Sequence, residues 1–181
     1  MHHTNIEIKA RLRREDDAER IREVLYEHNA RFVGRDVQVD TYFNAPSNGG
    51  RLKLREGTIE NYLIYYHRPD QLGPKLSRVR LTALEDEKLR KVVKDALLKH
   101  LGARVVVEKE REIYFVGNVK VHLDDVKGLG RFVEIEAIDE SGEIGEERLR
   151  EQCEYFMERF RIDASDLIER SYSDMLLENS G

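Results

Sequence analysis

The sequence predicts an α+β chain built on an antiparallel sheet of about eight strands. Closing that sheet puts a charged face inside a polar lumen and an apolar face outside, under helices. Three observations predict it. Most segments alternate apolar and polar residues with period two, as half-buried strands do. The connections between them are short and turn-like, which makes neighbouring strands antiparallel. On strand after strand the polar face repeats Lys or Arg at every second position, where an ordinary wet face mixes Ser, Thr, Gln, Lys and Glu. Cations so placed repel one another unless an anion lies over them.

The elements follow in order. Residues 4–12 form a strand, with Ile6, Ile8, Ala10 and Leu12 on one face and Asn5, Glu7, Lys9 and Arg11 on the other. Residues 15–28 carry Ala18, Ile21, Val24 and Leu25 at helical spacing behind an acidic first turn. Residues 31–43 return to strand alternation, and Asn44–Gly50 is a turn. Strands follow at 51–57, at the Tyr- and Ile-rich 61–68, and at 76–84. Residues 85–101 are a helix with an apolar stripe of Leu89, Val92, Val93, Ala96, Leu97 and Leu101, capped by Gly102. Two long strands, 104–116 and 119–126, flank the hairpin signal Gly117-Asn118. After the tight turn at Gly128-Leu129-Gly130 comes a last strand, 131–139, then a helix over 145–160 and a short one within 166–178.

The 181 residues read as one domain, 1–181, long enough for a real core. A net charge of −5 argues against a duplex nucleic-acid surface. The single cysteine, Cys153, forms no internal disulfide and no multi-cysteine zinc site. No apolar run reaches the length of a membrane span and no signal peptide is visible, so the reading is a cytoplasmic protein without a membrane partner.

The charged faces carry the functional argument. Lys9 and Arg11, then Arg51, Lys53 and Arg55, then Arg78 and Arg80, then Lys109 and Arg111 share parity along their own strands. Such cations facing one lumen imply a polyanionic ligand. Carboxylates at Glu7, Glu134 and Glu136 alternate on strands of the same sheet, and hard oxygen donors suit Mg2+ or Mn2+. His122 lies on a polar face and reads as a hydrogen-bonded bystander; Cys153 lies on an apolar helix stripe and reads as core. Tyr172 reads as part of a packed tail, with closure of one tunnel mouth as the alternative.

In sequence order, "NIEIK", "LKLRE", "KEREIY" and "HLDDVKGLGRFVEIE" resemble the CYTH superfamily, the triphosphate tunnel metalloenzymes. The resemblance runs from Asn5 to about Met175, and its last motif comes nearest the CyaB-type class IV adenylyl cyclases. It implies an eight-stranded antiparallel tunnel, a small triphosphate-bearing substrate within it, and Mg2+ or Mn2+; a homodimer is allowed. It further implies phosphate binding by Lys9, Lys53, Arg55, Arg68, Lys75, Arg78, Lys109 and Arg111, metal binding by Glu7, Glu134 and Glu136, and catalysis involving Lys9, Asp124 and Glu136. One position departs from the pattern: the first glutamate of the family's opening signature is Asn5 here, which brings an oxygen but no charge. The implied activity is cyclisation of ATP to cyclic AMP and pyrophosphate. The alternatives are hydrolysis of thiamine triphosphate, tripolyphosphate or a nucleoside triphosphate, and binding without turnover.

Overall fold

The alternation along the first strand decides the architecture. In the computed structural model, which describes residues 2–44, 50–67 and 71–179, β1 (His2–Arg11) sends Ile6, Ile8 and Ala10 to one side and Asn5, Glu7 and Lys9 to the other, and both sides are buried. A strand with two buried faces of opposite polarity needs two interiors, one apolar and one polar. The chain supplies both by closing its sheet.

Seven further strands complete the barrel: β2 (Arg31–Phe43), β3 (Arg51–Gly57), β4 (Tyr62–His67), β5 (Lys75–Ala83), β6 (Ala103–Val116), β7 (Val119–Val126) and β8 (Gly130–Asp139). They close in the order β1-β5-β4-β3-β2-β6-β7-β8, every pair antiparallel, with β8 hydrogen-bonded back to β1. The Gly117-Asn118 hairpin forms as expected, with Gly117 at φ 57°, which a glycine adopts without a Cβ penalty.

The apolar interior lies outside the barrel. Ile6, Ile8, Val121, Val133 and Ile135 pack against Ile21 and Leu25 of α1 (Asp17–Glu27) and against Leu149, Cys153, Phe156 and Phe160 at α3 (Glu146–Arg159). α1 starts two residues later than its pattern suggests, because the Asp17 carboxylate accepts the backbone N–H groups of Arg13 and Arg14 and so occupies the entry to the helix. Cys153 is buried in this layer and its thiol lies 3.1 Å from the Ile6 carbonyl, in keeping with a core role.

α2 (Glu87–Leu101) corrects the expected stripe. Val93, Leu97 and Leu101 pack on Phe43, Leu54 and Leu84, but Leu89 is 52% and Val92 65% exposed. Six apolar residues span too wide an arc for one contact with a convex barrel wall, so the helix buries one edge of its stripe and leaves the other in solvent. The Asp86 side chain caps its N-terminus and Gly102, at φ 73°, ends it.

The tail also differs from expectation. Ala164–Asp166 is a 3-10 turn, Leu167 bridges Ala10, and only Tyr172–Asn179 is helical, as α4. The Ile168 N–H donates to the Lys9 carbonyl, and the Lys75 ammonium donates to the Ile168 and Glu169 carbonyls at 2.8 and 2.6 Å. These bonds tie the tail across one end of the barrel, where β1 and β7 finish and β3 and β5 begin. The other end, with the β3–β4 loop and the β6–β7 turn, stays open. Among the described residues, no helix is long and apolar enough to cross a membrane.

Candidate active site in the barrel lumen

Strand parity brings most of the expected residues together. The lumen holds a cavity of about 580 Å³ whose lining includes Glu7, Lys9, Lys53, Arg55, Lys109, Arg111, Glu134 and Glu136. Its organising group is Asp40, on β2, which sequence reasoning did not single out. Asp40 is 1% exposed, and three cations converge on its carboxylate. Lys53 lies at 2.9 Å and Lys109 at 2.8 Å, both from Oδ2, and Arg55 donates from Nε and Nη2 to the two oxygens at 2.9 and 3.0 Å. That fork is the strong bidentate geometry of guanidinium and carboxylate. Burial alone would raise the Asp40 pKa, but Arg55, Lys109 and Lys53 hold it well below the usual carboxylate range. Burial pushes Lys109 down to about 7 against the attraction of Asp40, and Arg55, Arg111 and Lys53 push the same way. One negative charge thus faces three positive groups, and this wall of the lumen is electropositive.

A second cluster sits toward the closed end. Arg111 forks onto Asp124 with two bonds of 2.6 Å and reaches Glu134 at 2.8 Å. Lys9 approaches Glu134 at 3.3 Å and lies 3.9 Å over the ring of Tyr172, whose hydroxyl donates to Asp124 at 2.7 Å. Tyr172 therefore does more than pack the tail: with Ser171 it lines the cavity's closed end. Asp124, expected among the catalytic residues, lies behind Arg111 and does not line the cavity, so its place is that of an orienting counter-ion.

At the open end the β3–β4 loop dips inward. The buried Asp36 carboxylate accepts the N–H groups of Ile59 and Glu60 and the hydroxyl of Thr58. This pins the loop so that Glu60 meets Arg55 at 2.9 Å and also binds Lys120. Burial opposes ionisation of Glu60, but Lys120 and Arg55 keep its carboxyl far below the usual range. The sequence offered no signal for Glu60, which stands in a loop outside any alternation.

The carboxylates expected to hold a metal divide in two. Glu7 and Glu136 are cross-strand partners in register, and Asn5 Nδ2 donates to Glu136 at 3.0 Å. Glu134 is instead bound by Arg111, with Lys9 and His122 close by, and is held well below its ordinary pKa against the effect of burial. Among the described residues no three Asp, Glu, His or Cys side chains stand gathered as a ready metal cluster, which corrects the expected convergence of Glu7, Glu134 and Glu136. The donor set still fits a hard divalent cation at the Glu7–Glu136 pair. Both supply carboxylate oxygens, and Asn5 Oδ1 beside them is buried with no hydrogen-bond partner.

Two cation assignments change. Arg78 is exposed, because Ser77 and Val79 take the lumen side of β5 and turn Arg78 and Arg80 to solvent. Lys75 is 1% exposed but donates to the tail carbonyls and does not line the cavity. Arg68 lies outside the described residues. His122 is 2% exposed and lines the cavity; its Nδ1 is 3.4 Å from Glu134, and burial lowers its pKa, as does Arg111.

Residues 3–172 match the sequence model of the CYTH domain. A protein of Methanocaldococcus jannaschii, provisionally named an adenylate cyclase, is 27% identical over 94% of this chain and 97% of its own. A solved structure from Pyrococcus horikoshii is similar with a TM-score of 0.71 at 25% identity, covering 94% of this chain and 98% of its own. A Hippeastrum structure described as an adenylyl cyclase candidate with dominant triphosphatase activity has the same fold, at TM-score 0.61 and 18% identity, covering 98% and 96%.

Proposed function

The chain belongs to the CYTH domain family, and on that premise we propose that it is a divalent-metal-dependent enzyme that cleaves a phosphoanhydride bond of a triphosphate bound in the barrel, in the manner of a class IV adenylyl cyclase. The observation that carries this reading is the convergence of Lys53, Arg55 and Lys109 on the single carboxylate of Asp40. Three cations on one anion leave positive charge that a chain of phosphates can take up. Lys9, Lys53, Arg55, Lys109 and Arg111 bind and orient the phosphates, with Asp40 and Asp124 fixing the two arginine forks. Glu7 and Glu136, on the facing wall, would hold Mg2+ or Mn2+, with the Asn5 oxygen beside them. A divalent ion there supplies Lewis-acid stabilisation of the phosphoryl oxygens as charge develops on them. The Hippeastrum structure of the same fold is described with a dominant triphosphatase activity, which supports catalysis over mere binding.

In cyclisation the ribose 3′-hydroxyl attacks the α-phosphorus and pyrophosphate leaves. The second reading is hydrolysis, with water attacking the terminal phosphorus; the triphosphatase activity of the Hippeastrum relative favours it. The test is product analysis with ATP, thiamine triphosphate and tripolyphosphate in Mg2+ or Mn2+. Cyclic AMP with pyrophosphate supports the first reading, orthophosphate the second, and binding without any product leaves only a binding module. Glu136→Gln should lower turnover on the order of 100-fold or more, since a metal ligand is worth several kcal/mol in the transition state. Its thermal stability should stay near that of the parent, and full activity in this variant refutes the metal assignment.

A further inference from the structure

The β3–β4 loop puts a carboxylate where the lumen would otherwise bind an anion. Glu60 Oε2 accepts from Arg55 Nη1 at 2.9 Å and from Gln38 Nε2 at 3.3 Å, and Oε1 accepts from Lys120. Three donors, two of them cationic, converge on one anionic group, as they would on the oxygens of a phosphate. Glu60 and Lys120 both line the cavity. In the barrel order β2 and β6 stand between β3 and β7, so the Glu60–Lys120 pair reaches across the lumen and not along its wall. The loop is held in place: Asp36 binds the Ile59 and Glu60 N–H groups, and the Gly57 N–H donates to Asn61 Oδ1 at 3.1 Å.

Depth along the lumen gives that contact its meaning. The tail closes one end, so a bound polyphosphate lengthens only toward the open mouth. Lys9, Lys53, Lys109 and Arg111 lie farther from the mouth along their strands than Arg55 does. Lys120 is the next cation outward, and Glu60 already occupies it. Beyond the pair the lining is Tyr62, Ala83, Phe115, Ile138 and Glu140, with no further cation among the described residues. Burial opposes the charge on Glu60, but Lys120, Arg55 and His122 keep it ionised. A phosphate can take this place only by displacing the carboxylate, and exchanging one anion for another on the same donors gains little.

We infer that Glu60 ends the phosphate track: its carboxylate fills the outermost anion subsite of the lumen, so that the cavity takes a chain of three phosphates and gains nothing from a fourth. This rests on the triphosphate reading above and adds to it a limit on chain length. Glu60 is then a specificity residue that discriminates against longer inorganic polyphosphates, and the deeper cations bind every chain that reaches them.

Calorimetric titration in EDTA, where metal-dependent turnover is suppressed, tests it with pyrophosphate, tripolyphosphate and tetrapolyphosphate. Wild-type affinity should rise from pyrophosphate to tripolyphosphate and then level off, with tetrapolyphosphate within about twofold of tripolyphosphate. Glu60→Gln removes the charge with little change of shape and puts amide donors beside Arg55 and Lys120. This variant should bind tetrapolyphosphate at least about tenfold more tightly than tripolyphosphate, the factor that one hydrogen bond to a charged group provides. Glu60→Ala, which removes the carboxylate altogether, should show the same step and serves where the glutamine variant folds poorly. A wild-type affinity that still rises about tenfold at tetrapolyphosphate overturns the inference, and so does one already level at pyrophosphate. A Glu60 variant that changes all three affinities by the same factor overturns it too, because a structural or long-range effect acts on every chain alike. If none of the three ligands binds the wild type, the triphosphate reading itself fails, and the two failures are distinguishable.

Discussion

The two faces of β1 are buried to nearly the same degree by opposite physics. Ile8 is 1% exposed in the layer beneath α1 and α3, and Lys9, its neighbour in sequence, is 4% exposed inside the lumen. The outer layer gains from non-directional removal of apolar surface, and its parts are worth what they cover. Inside the barrel each charge depends on a named partner at hydrogen-bond distance, and a lost partner leaves its counterpart desolvated and uncompensated. Burial therefore says little about what a substitution does until the face is known. The inner face is also the one that a ligand alters.

The largest expected effect tests the inner face. Asp40→Asn leaves Lys53, Arg55 and Lys109 without their shared counter-charge and should cost about 3–5 kcal/mol in denaturant unfolding. Tripolyphosphate should then raise the melting temperature of the variant by more than it raises that of the wild type, because the phosphates replace the missing carboxylate. A variant as stable as the parent would remove Asp40 from the centre of the site. The outer face gives the next effect. Leu149→Ala opens a cavity under α3 and should cost roughly 2–5 kcal/mol. In the folded fraction its tripolyphosphate affinity should match wild type, and a large loss would show that the two interiors are coupled.

A pH titration sharpens the comparison further. Lys109 is held down to about 7 by burial, below the ordinary lysine value of 10.5. Folding stability from this group therefore declines as pH falls from the ordinary lysine range toward 7 and is level below that, because over this window the unfolded chain takes up a proton that the fold refuses. Ligand binding runs the other way. As pH rises through about 7, Lys109 loses its charge, so wild-type tripolyphosphate affinity should fall relative to Lys109→Arg, whose guanidinium stays ionised. An affinity ratio that does not change between about pH 6 and pH 8.5 would show that Lys109 is charged throughout. The smallest effect belongs to the outer edge of α2. Val92, 65% exposed, should tolerate replacement by Ser within about 0.5 kcal/mol, and a larger loss would mean that this edge is covered in solution.

Much of this was legible along single strands. Side chains alternate with a period of two whatever the tertiary context, so Lys9, Lys53, Arg55, Lys109, Arg111, Glu134 and Glu136 could be assigned to shared faces from spacing alone, and all line the cavity. The resemblance of the motifs supplied closure and the tunnel. Position 5 was also readable as the place where this chain departs from its family, and Asn5 does contact Glu136.

Parity could not say which face looks inward. In a barrel whose lumen is polar, charge marks the inside and the solvent side alike. On β5 the cations Arg78 and Arg80 went out and Val79 and Leu81 went in. Nor could spacing show that Asp40 meets Lys109, since those residues lie 69 positions apart and become neighbours only when β2 pairs with β6. The sequence by itself determined the strands, their two faces and the types of group available to bind phosphate and metal, because these follow from local periodicity and side-chain chemistry. Tertiary structure alone decided which charges neutralise one another, that Glu134 serves Arg111 and not Glu7, and that Tyr172 ends the cavity. The pairing energy of a buried charge depends on distances of a few ångströms between distant parts of the chain, and those distances exist only once the barrel has closed.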